Sequence, residues 1–265
     1  MLLHSGVSFS IFGLTINLYG VMIAIGIIAG VIVAICLAKK RGLKTDDIIT
    51  LALYVLPIAI LGARAYYVIF NEKIYSFIEF FEIWNGGLAV LGSIIGGAIG
   101  ATIYCLIHKK NFLHIADIAV PAVILGQAIG RIGCYFGGCC YGIEVTSPSF
   151  QWFPISTQIN GVWHYSTFFY ESLWCILGFV ALLILFKHLK KPGQIMSCYF
   201  IIYGVGRCII ETFRGDSLYL FGTGIKVSQL LSGLLVLLGI IMLIIIHTIH
   251  KKRNSSKTDE TKSNT

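Results

Sequence analysis

Seven long apolar stretches follow one another along the chain, separated by short polar segments. They lie at residues 17–38, 48–70, 87–107, 114–133, 167–187, 194–213 and 225–248. A helix that crosses a bilayer needs about 20 mostly apolar residues. The stretches are continuous, whereas the strands of a spanning barrel would alternate apolar and polar positions. The pattern therefore predicts an all-α polytopic membrane protein with seven transmembrane helices.

The composition supports this fold class and excludes others. Of the 265 residues, 57% are hydrophobic and 12% are charged, whereas soluble domains are about 25% charged. So few charges cannot cover a globule with a solvated surface, which excludes a soluble enzyme and a disordered chain. The formal net charge of +8 would suggest a nucleic-acid partner in a soluble protein, but in a membrane protein it usually encodes topology. We expect the membrane, and no nucleic acid, as a partner.

The positions of the basic residues predict the topology. Fourteen of the 20 lysines and arginines follow the first, third, fifth and seventh apolar stretches. By the positive-inside rule the N-terminus lies outside and the C-terminus in the cytoplasm. Lys73 and Lys226 fall on the other side, and we interpret both as incidental. We expect residues 1–250 to form one seven-helix membrane domain and 251–265 a disordered, basic and polar cytoplasmic tail.

The other four basic residues are arginines within the apolar stretches or at their ends, in the outward half under this topology. They are Arg64, Arg131, Arg207 and Arg214. An ionisable group in a membrane segment is costly and indicates function, and a guanidinium group binds phosphate through two parallel hydrogen bonds. We predict that the four meet in one outward-facing anion site. Snorkelling or ion pairing between helices is the alternative for any single arginine.

Glu211 shares one helical face with two of these arginines, because Arg207, Glu211 and Arg214 are spaced i, i+4 and i+7. A buried carboxylate between two guanidinium groups would stay ionised and hold both in place. The spacing fits a structural ion-pair ladder and a preorganised anion clamp equally well.

The densest motif runs from Gly130 to Gly142 and contains five glycines and three cysteines. Glycines permit unusual backbone angles and close approach of a ligand, so we expect this segment to line the site. For Cys134, Cys139 and Cys140, a disulfide and simple packing are the main alternatives. A metal site needs more ligands than Cys-x4-Cys-Cys supplies, and His164 is a weak fourth; we expect no metal and no cofactor. Arg131 could activate a nucleophilic cysteine, but no base partner is evident.

The chain resembles the bacterial prolipoprotein diacylglyceryl transferases over its whole length. Gly130-Arg131-Ile132-Gly133, followed by the turn that ends at Gly142, is similar to the family signature. Other matching features occur in the same order. They are Tyr19-Gly20, Gly62-Ala63-Arg64 with Tyr67 and Asn71, Trp84-Asn85-Gly86-Gly87, Tyr170-Glu171, and Arg207 with Glu211 and Arg214.

The resemblance implies a transferase of the bacterial cytoplasmic (inner) membrane with several spans. Such an enzyme moves the diacylglyceryl group of phosphatidylglycerol onto the lipobox cysteine of a prolipoprotein signal peptide, and glycerol phosphate leaves. By motif match, Arg131 and Arg207 are the primary phosphate ligands, and Tyr19 orients the head group. Glu211 completes the catalytic set. The further substrate-binding residues are Arg64, Arg214, Gly130, Gly142, Tyr170 and Glu171.

The chain departs from the family pattern at several polar positions. The family has His after Trp-x-Gly-Gly, where Leu91 stands here, and Asn and Glu where Cys134 and Cys139 stand. With these replacements the sequence provides no general base for the acceptor thiol. The alternative function is that of a divergent relative, which binds an anionic phospholipid or modifies another acceptor without prolipoprotein transferase activity.

Overall fold

The computed structural model describes the backbone of residues 2–3, 8–11, 14–70, 87–215 and 226–263. Within these ranges the main elements are seven helices. They are α1 (Leu18–Lys40), α2 (Thr45–Phe70), α3 (Val90–Ile107), α4 (Phe112–Gly137), α5 (Thr167–His188), α6 (Gln194–Glu211) and α7 (Val227–Ser263). Long apolar runs favour helices in a membrane because a helix satisfies all its backbone polar groups internally.

Six of these helices, all except α6, are long and apolar enough to cross a bilayer. The protein is therefore a polytopic helical membrane protein, as the apolar stretches predict. Helix α6 has 18 residues but is less apolar, because it carries polar groups such as Gln194, Arg207 and Glu211. That α6 is a seventh span stays a prediction.

Short strands lie outside the helices, and the sequence pattern did not predict them. Strands β1 (Leu2–Leu3), β4 (Ser156–Ile159) and β5 (Val162–Tyr165) form a sheet of order β1-β4-β5, and β2 (Ser8–Ile11) pairs with β3 (Leu14–Asn17). In the β4–β5 hairpin Ser156 faces Tyr165 and Ile159 faces Val162. Its turn is Asn160-Gly161, with φ of 50° and 87°, the residue pair that a two-residue turn with positive φ favours. Four-residue strands are too short to show a clear alternation.

Helix α7 continues to Ser263, although the composition of residues 251–265 suggested a disordered tail. Lysine and arginine are good helix formers, and a helix that is already nucleated extends at little cost. The helical backbone thus passes the predicted boundary at residue 250.

The internal contacts divide the chain into two compact units, one of residues 34–115 and the other of residues 1–33 and 116–265. In the first unit, glycines of α3 contact the backbone of α2. A Cβ atom added to Gly96 would overlap the Ile58 carbonyl, and one on Gly100 would lie 2.9 Å from the Tyr54 oxygen. The register is that of an antiparallel pair, and small residues at this spacing let the two backbones touch.

The second unit uses both glycine contacts and a buried carboxylate. A Cβ atom on Gly26 of α1 would lie 3.1 Å from the Gly126 oxygen of α4. Asp117 of α4 is 2% exposed and accepts hydrogen bonds from the Gly193 and Met196 amides, both at 2.8 Å. These amides belong to the start of α6, where an acceptor and a negative charge are both favourable. Asp117 therefore fixes the first turn of α6.

Candidate active site

Four charged side chains from three helices form a continuous series of ion pairs, which we call the charge ladder (Arg131, Glu171, Arg207 and Glu211). Arg131 Nη2 lies 2.7 Å from Glu171 Oε1. Arg207 lies 3.1 Å from Glu171 Oε2 and 3.0 Å from Glu211 Oε2. The ladder links the last turns of α4, the first turns of α5 and the end of α6. The spacing of residues along α6 predicts only one of these contacts, the one between Arg207 and Glu211.

The two kinds of charge in the ladder differ in exposure. The Glu171 and Glu211 side chains are 5% and 1% exposed, whereas those of Arg131 and Arg207 are 23% and 14% exposed. A buried charge is tolerated only when it is paired. The carboxylates therefore orient the guanidinium groups, whose accessible faces could still donate to an anion. The carboxylate seen between two arginines is Glu171, which the sequence suggested as a substrate-binding residue.

The turn after α4 is fixed between several elements. The Cys140 carbonyl accepts a 2.7 Å hydrogen bond from Thr167 Oγ1 at the start of α5. The Gly142 amide donates to the Tyr165 carbonyl at 2.8 Å. A Cβ atom on Gly142 would lie 2.6 Å from the Phe213 oxygen, so this position requires glycine. At Gly130, an added Cβ atom would meet none of the described heavy atoms within 4 Å.

Three free cysteines converge in this turn, and we call them the thiol cluster (Cys134, Cys139 and Cys140). Their sulfur atoms all lie within 4.8 Å of one another. The turn that brings them together has φ of 59° at Gly138 and 57° at Cys140. A cysteine with positive φ is uncommon, and such residues concentrate at functional sites. A disulfide, one of the alternatives that the sequence left open, is not formed among these three cysteines.

The thiol cluster contacts the charge ladder through one residue. Arg131 Nη1 donates to Cys140 Sγ at 3.4 Å, while its Nη2 pairs with Glu171. Hydrogen bonds from the Cys134 and Cys139 thiols lower the pKa of Cys140, and the positive charges of Arg131 and Arg214 act in the same direction. Arg131 thus lies between the thiol cluster and the carboxylate of Glu171.

The two predicted tyrosines are placed differently. Tyr19, in the first turn of α1, is 40% exposed, and its ring lies beside the signature: a Cβ atom on Gly133 would be 3.1 Å from Tyr19 Cδ2. The Tyr170 hydroxyl instead donates to the Ile155 carbonyl. Tyr170 therefore holds the connection between α4 and α5, while Tyr19 is accessible to a ligand.

Arg64 belongs to the unit of residues 34–115 and is described within it. Its side chain donates to the Gly87 carbonyl at 3.1 Å and its guanidinium carbon lies 5.7 Å from the centre of the Tyr67 ring. Leu91, in the first turn of α3, is 49% exposed. The convergence of all four arginines stays a prediction, and Asn71, Trp84, Asn85 and Gly86 lie outside the described residues.

Lys226, which the charge pattern left as incidental to the topology, contacts the end of α6. Its Nζ donates to the Glu211 carbonyl at 2.7 Å and to the Arg214 carbonyl at 3.1 Å. The end of a helix has unpaired carbonyls and a partial negative charge, so a lysine stabilises it. The sequence contains one weak indication of this contact, a single lysine just before an apolar stretch.

Comparison with known proteins agrees with the family resemblance that the motifs suggest. A family model described as prolipoprotein diacylglyceryl transferase matches residues 6–245. The chain belongs to this family. A relative from Clostridium perfringens, named phosphatidylglycerol–prolipoprotein diacylglyceryl transferase 1, is 42% identical over 93% of this chain and 96% of its own length.

Other members of the family are similarly close. The phosphatidylglycerol–prolipoprotein diacylglyceryl transferase of Finegoldia magna is 42% identical over 96% of this chain and 98% of its own. The protein of the same name from Clostridioides difficile is 37% identical with the same coverage. The family resemblance suggested by the motifs is therefore confirmed over nearly the whole chain.

Proposed function

We propose that this protein transfers the diacylglyceryl group of phosphatidylglycerol to the lipobox cysteine of prolipoproteins. The observation that carries the proposal is the charge ladder at the family signature, where Arg131 and Arg207 keep accessible guanidinium faces. The relatives' names give both substrates. The acceptor cysteine belongs to a signal peptide in the membrane. The reaction is the first step of bacterial lipoprotein maturation.

The arginines would act on the phosphate diester of the lipid. Negative charge develops on the departing glycerol phosphate as the bond between the glyceryl carbon and the phosphate oxygen breaks. Guanidinium groups already oriented by Glu171 and Glu211 stabilise that charge without further reorganisation. Because the two arginines and two carboxylates of the ladder carry no net charge, Arg214 supplies additional positive charge, and Tyr19 orients the head group.

The same proposal includes the topology and the location. Seven spans with the N-terminus outside would place the signature at the outer face of the cytoplasmic membrane, since the basic residues follow alternate apolar stretches. The signal peptide of an exported prolipoprotein would present its cysteine at that face. A membrane-impermeant thiol reagent tests this topology. The native cysteines of the connections are first replaced, and single cysteines are then introduced into each connection and labelled.

Complementation tests the function. The chain is expressed in a bacterium depleted of its own diacylglyceryl transferase, and prolipoprotein is examined for the added mass of diacylglyceryl. We expect lipidation and restored growth. Membrane insertion without lipidation would refute the proposal and favour the divergent relative, which the replacements at Leu91, Cys134 and Cys139 make the second candidate. That relative would still bind phosphatidylglycerol vesicles.

A further inference from the structure

The thiol cluster has the composition and geometry of a soft-metal site. Its three sulfur atoms lie within 4.8 Å of one another. Zinc–sulfur bonds of about 2.3 Å in a tetrahedral site hold sulfur atoms roughly 3.8 Å apart, so the cluster needs to contract by about 1 Å at most. Small rotations of the Cys139 and Cys140 side chains can supply this shift while the backbone of the turn stays in place, and Cys134 lies on α4.

We propose that the thiol cluster binds one zinc ion and that the fourth position of this zinc takes the sulfur of the acceptor cysteine. The proposal rests on the proposed function, because it requires a cysteine-containing acceptor. The sequence argued against a metal because Cys-x4-Cys-Cys supplies fewer ligands than a metal site needs and His164 is a weak fourth. A catalytic zinc site has three protein ligands and an open position, and this is the number that the structure brings together.

The surroundings of the cluster suit such an ion electrostatically. Three thiolates around Zn²⁺ carry a net charge of −1, and Arg131 Nη1 lies 3.4 Å from Cys140 Sγ. A donor that forms a hydrogen bond to a metal ligand, orients it and balances its charge is typical of metal sites. Backbone contacts also fix the turn, since the Cys139 amide donates to the Cys134 carbonyl at 3.1 Å.

Zinc would supply the thiol activation for which the sequence offers no base. A thiol that coordinates zinc loses its proton, here to solvent. The bound thiolate then donates an electron pair to the glyceryl carbon of phosphatidylglycerol, and a carbon–sulfur bond forms. The carbon–oxygen bond to phosphate breaks, and its electron pair leaves with glycerol phosphate near Arg131. The thioether product is a weaker ligand than a thiolate, so it can leave the zinc.

Metal content is the first test. The full chain, purified in detergent with a phosphine reductant, is incubated with zinc, desalted and analysed by elemental mass spectrometry. We expect about one zinc per chain, its loss in Cys139→Ser and in the triple serine variant of the cluster, and its retention in Cys36→Ser. Cys36 is an exposed thiol on α1, which makes it the matched control. Size-exclusion profiles identify any variant that misfolds.

Cobalt tests the open position without relying on activity. The chain loaded with Co²⁺ is titrated with a signal peptide that carries the lipobox cysteine, and with the same peptide carrying serine. We expect the cysteine peptide alone to strengthen the sulfur-to-cobalt absorption. An unchanged spectrum with both peptides would overturn coordination of the acceptor.

Activity separates the two proposals. If the wild-type chain lipidates the peptide fully after its metal has been removed by a chelator, the zinc proposal fails and the transferase function stands. If zinc binds but the cysteine peptide is never lipidated, the transferase function and the role assigned to the acceptor both fail. We expect at least a tenfold loss of transfer on chelation, since metal activation of a nucleophile is a large effect, and its recovery when zinc is returned.

Discussion

The α2–α3 pair and the charge ladder show two opposite ways of joining helices inside a membrane. In the pair, Gly92, Gly96 and Gly100 allow backbone atoms to touch, and no charge is needed. In the ladder, long charged side chains connect α4, α5 and α6 through contacts of 2.7–3.1 Å. Glycine contacts serve only packing, whereas buried ion pairs are costly. Because packing alone does not require this cost, the difference is one reason why we propose a chemical role for the ladder.

We expect the largest loss of activity from a substitution in the charge ladder. Replacement of Arg131 by alanine should lower the transfer rate by about 100- to 1,000-fold, the usual cost of losing one oriented donor to developing charge. Insertion and the thermal melting of the detergent-solubilised protein should change little by comparison. Lipidation of a radiolabelled prolipoprotein in isolated membranes measures the rate. Wild-type rates in Arg131→Ala would remove this residue from the phosphate site.

In the α2–α3 pair we expect the reverse, a loss of stability with little direct effect on the transfer rate. Gly96→Ala places a methyl group against the Ile58 carbonyl, and overpacking of this kind costs about 1–3 kcal/mol. The melting temperature should fall, and activity should decrease only as folded protein is lost. Gly97→Ala is the matched control, because its Cβ atom would lie 3.8 Å from Val55 Cγ1. Equal effects of the two substitutions would contradict the packing role.

Glu171→Gln sharpens the comparison, since it keeps the shape of the ladder and removes one charge. Each charge-assisted hydrogen bond is worth about 1.5–3 kcal/mol, and Glu171 serves both Arg131 and Arg207. We expect a roughly tenfold slower transfer, which corresponds to about 1.4 kcal/mol, and correct insertion. Glu171→Asp should restore part of the rate. No change in rate would show that the arginines hold their positions without this carboxylate.

The smallest effect concerns Lys226. Lys226→Met removes two hydrogen bonds to carbonyls at the end of α6 but keeps the apolar stem. Because both bonds are only partly buried, water can replace them in the variant, and the expected loss of stability is about 0.5–1.5 kcal/mol. Thermal melting measures it, with Lys44→Met as an exposed control. A much larger loss of transfer than of stability would indicate that Lys226 also contacts the substrate.

The sequence predicted the helices well because each apolar run is long and continuous. The Arg207–Glu211 step followed from spacing alone. The Glu171 bridge did not, because it joins residues of different helices and depends on their packing. The thiol cluster was visible as Cys-x4-Cys-Cys, but its convergence requires positive φ at Cys140, which no residue preference predicts. The strands were missed because four residues show too little alternation.

Asp117 and the ladder have a joint consequence for motion. Asp117 of α4 fixes the first turn of α6, while Glu171 ties its last turn through Arg207 to Arg131 of α4. A slide of α6 along α4 by one turn, about 5.4 Å, would break both attachments at once. The two attachments therefore act together as a register lock, which opposes any sliding of α6 along α4 during turnover.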